Sequence, residues 1–262
     1  MISTETALYL TRALFLLAVL LQSLENFALA RLPLAQSAWQ WSLIRSDTAG
    51  LPSWLQRFFD RVFSRSGFFY LTLAQGLLAA MALAGRGEAF VYPALFLSLY
   101  LSAIRFRGTI CGGSDSMTLV LSSALAVHAF FRESPDAERW ALAYIAAQST
   151  LSYLVSAVVK LRSGAWRSGR AVEDHLAHSD YDVPAPLRRA LGSSGVRMAL
   201  AWLTMIFEAS VALLYLKPAA APYWLALGVA FHLANFAVLG LNRFVFVWIA
   251  TYPALLWALS QF

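Results

Sequence analysis

The sequence predicts an all-α fold, a polytopic bundle of about eight transmembrane helices with one amphipathic helix in the membrane interface. Three observations carry this expectation. Hydrophobic residues make up 60% of the 262 residues and charged residues 13%, against roughly 45–50% and about 25% in soluble domains. The apolar residues fall in separate runs of about 20, the length that crosses about 30 Å of hydrocarbon at 1.5 Å per residue. The runs are continuous rather than alternating, which excludes the strands of a membrane barrel. Mean hydropathy, at +0.62, agrees. The chain reads as one membrane domain over residues 1–262 with no separate soluble domain.

Taken in order, the expected spans are Leu8 to Ala30, Phe68 to Ala84, Phe90 to Ile104 and Ser116 to Phe131, then Trp140 to Val159, Met198 to Leu216, Trp224 to Leu239 and Phe244 to Leu259. Met1 to Ala7 lacks the basic region of a cleaved signal, so the first span is expected to be retained. Between the first two spans, Pro52 to Phe63 places apolar residues at helical spacing with Arg and Asp between them, the pattern of a helix lying flat on a membrane. The other long connection, Lys160 to Arg197, is the most polar stretch of the chain.

The net charge of +6 comes from eighteen Arg and two Lys. The Arg sit in loops between spans, where the positive-inside bias and anionic headgroups account for them without nucleic acid. Eight spans put fourteen loop cations on one side and four on the other. That asymmetry makes the Arg-rich side cytoplasmic and both termini external, in a bacterial inner membrane. A single cysteine, Cys111, excludes an internal disulfide and any CxxC motif, and reads as a small apolar filler.

Ionisable groups at membrane depth are costly, so each is a candidate for function. Lys160 ends the apolar run Tyr153 to Leu161 and is one of only two lysines. A desolvated amine can serve as a base where guanidinium cannot, and a lysine at a helix end can equally snorkel to the headgroups. His232 and Asn235 stand three apart at mid-span, either orienting a polar ligand or clamping two helices by hydrogen bonds. Glu208, also at mid-span, fits a structural ion pair or a binding site equally. Arg12, Glu25 and Asn26 pose the same question near the interface, where solvation is sufficient. In the turn Gly112-Gly113-Ser114-Asp115, Ser114 or Asp115 can cap the following span. Glu173 to Asp182 holds carboxylates and two histidines, yet its spacing matches neither HExxH nor a calcium loop and it reads as an exposed amphipathic loop, so no metal is expected. GxGxxG opening a helix, the Walker loop and the GxSxG elbow are all absent.

Two stretches are similar to a known family. Tyr153-Leu154-Val155-Ser156-Ala157-Val158-Val159-Lys160-Leu161, followed by Trp166 and Gly169, resembles a lysine-leucine motif that ends a span. Gly228-Val229-Ala230-Phe231-His232-Leu233-Ala234-Asn235, then Gly240 and Arg243-Phe244-Val245-Phe246, resembles an F-H-x-x-N span. Both look like the HTTM family, the membrane domain of vitamin K-dependent γ-glutamyl carboxylase and its bacterial relatives; Gly112 to Asp115 and Arg12 also resemble the bacterial members. The resemblance implies that Lys160 is the base that deprotonates vitamin K hydroquinone or another membrane quinol. It also implies that His232 and Asn235 line the quinol pocket, with Glu208, Asp115 and Trp166 in supporting places and a peptide as substrate. The chain departs from the carboxylase in three ways. It is expected to lack the large extramembrane domain, its turn reads Gly-Gly-Ser-Asp where the carboxylase has a histidine, and its cation count puts the Lys160 end in the cytoplasm. A non-enzymatic membrane binding, maturation or immunity protein is the rival expectation.

Overall fold

The computed structural model describes residues 2–31, 40–107, 112–177 and 183–261, which form helices and turns with no strand among them. The helices are α1 (Thr4–Arg31), α2 (Trp41–Ile44), α3 (Ser53–Val62), α4 (Arg65–Leu83), α5 (Glu88–Arg105), α6 (Gly112–Phe130) and α7 (Ala137–Arg162). Then follow α8 (Gly164–Arg167), α9 (Arg170–Ala177), α10 (Ala185–Leu191), α11 (Ser194–Ser210), α12 (Ala221–Leu239) and α13 (Asn242–Leu259).

Six segments are long and apolar enough to cross a membrane: Thr4–Ala30, Arg65–Leu83, Ala137–Arg162, Ser194–Tyr215, Pro218–Leu239 and Asn242–Leu259. The expected third and fourth spans do form helices, α5 and α6, but neither is in this group. Charged ends dilute α5 (Glu88 and Arg105), and α6 carries Asp115, five Ser or Thr residues and His128. The expected interfacial helix coincides with α3, which leaves Trp54 and Phe58 exposed and buries Phe59. Of the polar connection after Lys160, Gly164–Arg167, Arg170–Ala177 and Ala185–Leu191 are helical. Glu173 to Ala177 therefore belong to a helix rather than to the loop expected there, while His178 to Asp182 lie outside the described residues, as does Cys111.

The chain divides into two compact units, Tyr9–Ala141 and Met1–Leu8 with Leu142–Phe262. In the first, polar side chains are matched inside an apolar packing. Gln75 Nε2 donates to the Ser98 carbonyl at 2.8 Å and to Ser102 Oγ at 2.9 Å, joining α4 to α5. Arg12 bonds His128 Nδ1 at 2.9 Å and pairs with Glu88 at 3.4 Å, with its guanidinium 5.5 Å from the Tyr92 ring. Arg12 is thus committed within the unit, and Asn26 is fully buried rather than solvated. Ser114 and Asp115, expected as caps, lie in the first turn of α6 and are buried. Trp41 packs edge-on against Phe63 at 4.8 Å and Phe63 stacks on Phe59 at 5.2 Å. The Trp41 indole N–H donates to Asp60 at 2.8 Å, and Arg45 grips the same carboxylate through Nε at 2.8 Å and Nη2 at 3.0 Å.

In the second unit, α7, α11 and α12 bury one face each at helical spacing, for example Ala146, Ser149, Tyr153 and Ala157 of α7, while α13 is buried around most of its circumference. The outward residues Leu151, Val155, Val158 and Val159 are large, apolar and exposed, a surface that suits lipid and not water. The chain start is tied down here, since Trp257 Nε1 donates to Thr4 Oγ1 at 3.0 Å. Between α8 and α9, Gly169 adopts φ +78°, and a Cβ there would lie 2.6 Å from the backbone nitrogen of Met198 in α11. Glycine is required on both counts, because the left-handed region and the close backbone approach each exclude a side chain.

Two expectations follow. The Arg45 guanidinium, together with the Trp41 indole, holds the Asp60 carboxyl down at about 2. Its contribution to the α2–α3 junction is complete above the ordinary carboxylate range, about 3.9, and disappears as the pH falls through that depressed value. Asp60→Asn is expected to speed backbone hydrogen exchange across residues 41–62 at neutral pH and leave α5 unchanged. Gly169→Ala is expected to destabilise the second unit by on the order of 3 kcal/mol, read as a lowered thermal midpoint in detergent.

Candidate functional site

The site is built on α7. Thr150, Tyr153, Ser156 and Lys160 recur at three- and four-residue steps, so they lie along one stripe of the helix. Lys160, in the last turn, is not a lysine reaching for headgroups. Its side chain is only 16% exposed, and Nζ donates to both carboxylate oxygens of Glu208 at 2.7 and 2.8 Å. Ser156 Oγ donates to the same carboxylate at 3.1 Å and accepts from Lys160 Nζ. The Trp166 ring closes the group, its centroid 5.1 Å from Nζ. Because Gly169 N bonds the Trp166 carbonyl at 3.1 Å, the tight turn that demands glycine also fixes the segment carrying this ring.

Two turns toward the start of α7, Tyr153 organises the second half of the site. Its hydroxyl shares hydrogen bonds with His232 Nε2 at 2.8 Å and with the Tyr252 hydroxyl at 3.2 Å. Its ring meets Trp224 at 5.0 Å, Trp248 at 4.6 Å and Phe207 at 5.8 Å between centroids. The His232 ring lies nearly parallel to Trp248 at 5.6 Å and has no exposed surface. Gly228, one turn before His232, gives the Tyr252 hydroxyl its place, since a Cβ there would come within 2.3 Å of that oxygen.

The expected residues divide accordingly. Lys160, Glu208 and Trp166 form one cluster. His232 belongs to the aromatic cluster around Tyr153, connected to the first along α7. Asn235, one turn beyond His232, is half-buried and forms no hydrogen bond with the described residues. Asp115 lies in the other unit, lining a small cavity with Gln22, Ser102, Phe106 and Thr118. Sequence reasoning missed Tyr153, Ser156, Trp248 and Tyr252. The signal for the first two was present, because they sit seven and four residues before Lys160 on its own face.

Chemically, the arrangement offers a buried amine in proton-transfer distance of a carboxylate, and a wholly enclosed imidazole in an aromatic cage. His232 Nδ1 and Trp248 Nε1 are buried and have no hydrogen-bond partner among the described residues. Such groups cost about 1–3 kcal/mol each unless something satisfies them. Among the described residues no group of three His, Cys, Asp or Glu is placed to hold a metal ion.

Comparison with known proteins agrees with the motifs on α7 and α12. The family model described as the HTTM domain matches residues 120–258, a stretch that contains Lys160, Glu208 and His232. The chain has no significant match among curated proteins or among solved structures. Since the matched stretch is more than half of the 262 residues, this membrane protein belongs to the HTTM family.

Proposed function

We propose that this protein is an HTTM-type enzyme resembling vitamin K-dependent γ-carboxylase, using a lipophilic quinol-like cofactor to modify a peptide. The observation that carries the reading is the single stripe of α7 on which Tyr153 engages His232 and Lys160 engages Glu208. Seven residues separate the two anchors, about 10 Å along the helix. A ligand that touches both is therefore a flat, ring-sized molecule rather than a small ion. His232 Nδ1 and Trp248 Nε1 would hold one of its oxygens, and the rings of Tyr153, Phe207 and Trp224 would flank its apolar body. Such a quinol supplies, when bound, the phenolic proton and the reducing electrons for an oxygen-dependent reaction.

The chain itself does the proton handling. Lys160 passes a proton to Glu208 across 2.7 Å, which leaves both groups neutral in a medium where charge separation is expensive. The free amine then accepts the phenolic proton. Trp166 and the exposed valines of α7 keep water away from the amine, which protects reactive species from side reactions. The finer membrane arrangement belongs to the same reading. α5 and α6 complete eight spans in a bacterial inner membrane, α3 lies in the interface, and the Arg-rich loops face the cytoplasm.

The test uses the purified full chain in lipid nanodiscs with vitamin K hydroquinone, oxygen and a glutamate-containing peptide, following consumption of the quinol by chromatography. Lys160→Ala and Lys160→Arg are each expected to lower turnover about 100-fold or more, since neither alanine nor guanidinium can take up the proton. Turnover by either variant at the wild-type rate would overturn the assignment, and so would a wild type that leaves the quinol untouched.

A further inference from the structure

Apart from the Lys160 site, the unit formed by Tyr9–Ala141 holds a buried cation that no ion pair among the described residues balances. Arg105, the last residue of α5, is 4% exposed. Its Nε and Nη1 have no hydrogen-bond partner among the described residues. The guanidinium lies 5.8 Å from the centroids of both Phe68 and Phe106, which themselves pack edge to face at 5.3 Å. Two ring quadrupoles attract a cation weakly, by about 1 kcal/mol each. The effective penalty for burying an ion is several kcal/mol. The rings therefore do not account for the residue.

Three carboxylates of this unit are paired with other arginines. Glu88 pairs with Arg12, Asp60 with Arg45 and Asp47 with Arg107. Arg105 has no carboxylate partner among the described residues. On the same α4–α5 seam a second group is unsatisfied. Gln75, fully buried, spends its Nε2 on Ser98 and Ser102, and its Oε1 accepts from nothing among the described residues. Ser102 stands one helical turn before Arg105. The seam thus combines two buried donors on a cation with one buried acceptor.

We infer that Arg105 anchors a binding site for a phosphate group with an adjoining hydroxyl, the phosphate taken by the guanidinium and the hydroxyl by Gln75 Oε1. The fork of Nε and Nη donors matches a phosphate with two parallel hydrogen bonds, which a carbonyl or a water cannot offer. Protonated inorganic phosphate and the glycerol-phosphate headgroup of an anionic lipid share this chemistry. Arg105 ends its helix, which is where a lipid headgroup would stand if α5 crosses the bilayer.

The site is tested on the purified full chain by thermal unfolding in detergent. Four additions are compared at equal ionic strength: inorganic phosphate, chloride, phosphatidylglycerol and phosphatidylcholine. Phosphate or phosphatidylglycerol is expected to raise the wild-type midpoint by on the order of 3 °C or more, and chloride and phosphatidylcholine to leave it unchanged. A rise with phosphate alone identifies the free anion, and a rise with phosphatidylglycerol alone identifies the lipid. Arg105→Met is expected to abolish the rise while its unliganded midpoint stays at or above that of wild type, because an uncompensated buried charge has been removed. Gln75→Leu is expected to reduce the rise and leave Arg105 in place. The site is refuted by a wild type indifferent to both phosphate compounds, or by a rise that survives in Arg105→Met. An Arg105→Met midpoint below that of wild type, with no phosphate effect on either protein, would make the arginine structural and refute it equally.

Discussion

In a chain this apolar, the interaction on which the rest of the second unit depends is the buried pair between Lys160 and Glu208. Neither residue is tolerable alone at that depth, since a lone charge within a bilayer costs at least about 2.5–3.5 kcal/mol. Together they need only a fixed distance, and the bundle supplies it. Ser156 takes the hydrogen bond that the carboxylate leaves over, and Trp166 covers the ammonium. Several otherwise unrelated features follow from holding that distance. Gly169 lets the α8–α9 turn press on the backbone of α11. Trp202 Nε1 donates to the Arg167 carbonyl at 3.2 Å, fastening α11 to the same turn.

The aromatic cluster obeys the same constraint by another route. Tyr153, Trp224, His232, Trp248 and Tyr252 are large enough to fill the space between α7, α12 and α13, and each brings a polar atom that lipid cannot satisfy. Most of those atoms have been paired. Tyr153 bonds both His232 and Tyr252, and Trp224 Nε1 donates to Ser210 Oγ at 2.9 Å. His232 Nδ1 and Trp248 Nε1 are the exceptions, on two rings that lie against each other.

The helical class and the six strongest spans were legible in the sequence because each depends on local composition alone. α5 and α6 were legible as helices, but their polar ends make them weaker spans than their neighbours. Lys160, Glu208 and Trp166 could be named individually from burial cost and motif resemblance. Their partnership could not, because residues 48 apart in sequence meet only through the packing of α7 on α11. Tyr153 and Trp248 escaped notice for a different reason, since at mid-span an aromatic residue counts as ordinary apolar filling until its polar atom is traced. The expected coupling of His232 with Asn235 illustrates the limit of helical spacing. Three residues put them on one side of α12, yet only the imidazole hydrogen-bonds Tyr153.

Lysine and arginine divide the buried cations between two different uses, and the division follows from their chemistry. The fold surrounds the Arg12 guanidinium with a carboxylate, an imidazole nitrogen and an aromatic face. Around Arg105, by contrast, no carboxylate among the described residues returns a negative charge. Lys160 differs because Glu208 holds it through both carboxylate oxygens at 2.7 and 2.8 Å, so its burial requires no external anion. The lysine site is therefore balanced within the fold, whereas the arginine site has no such partner among the described residues.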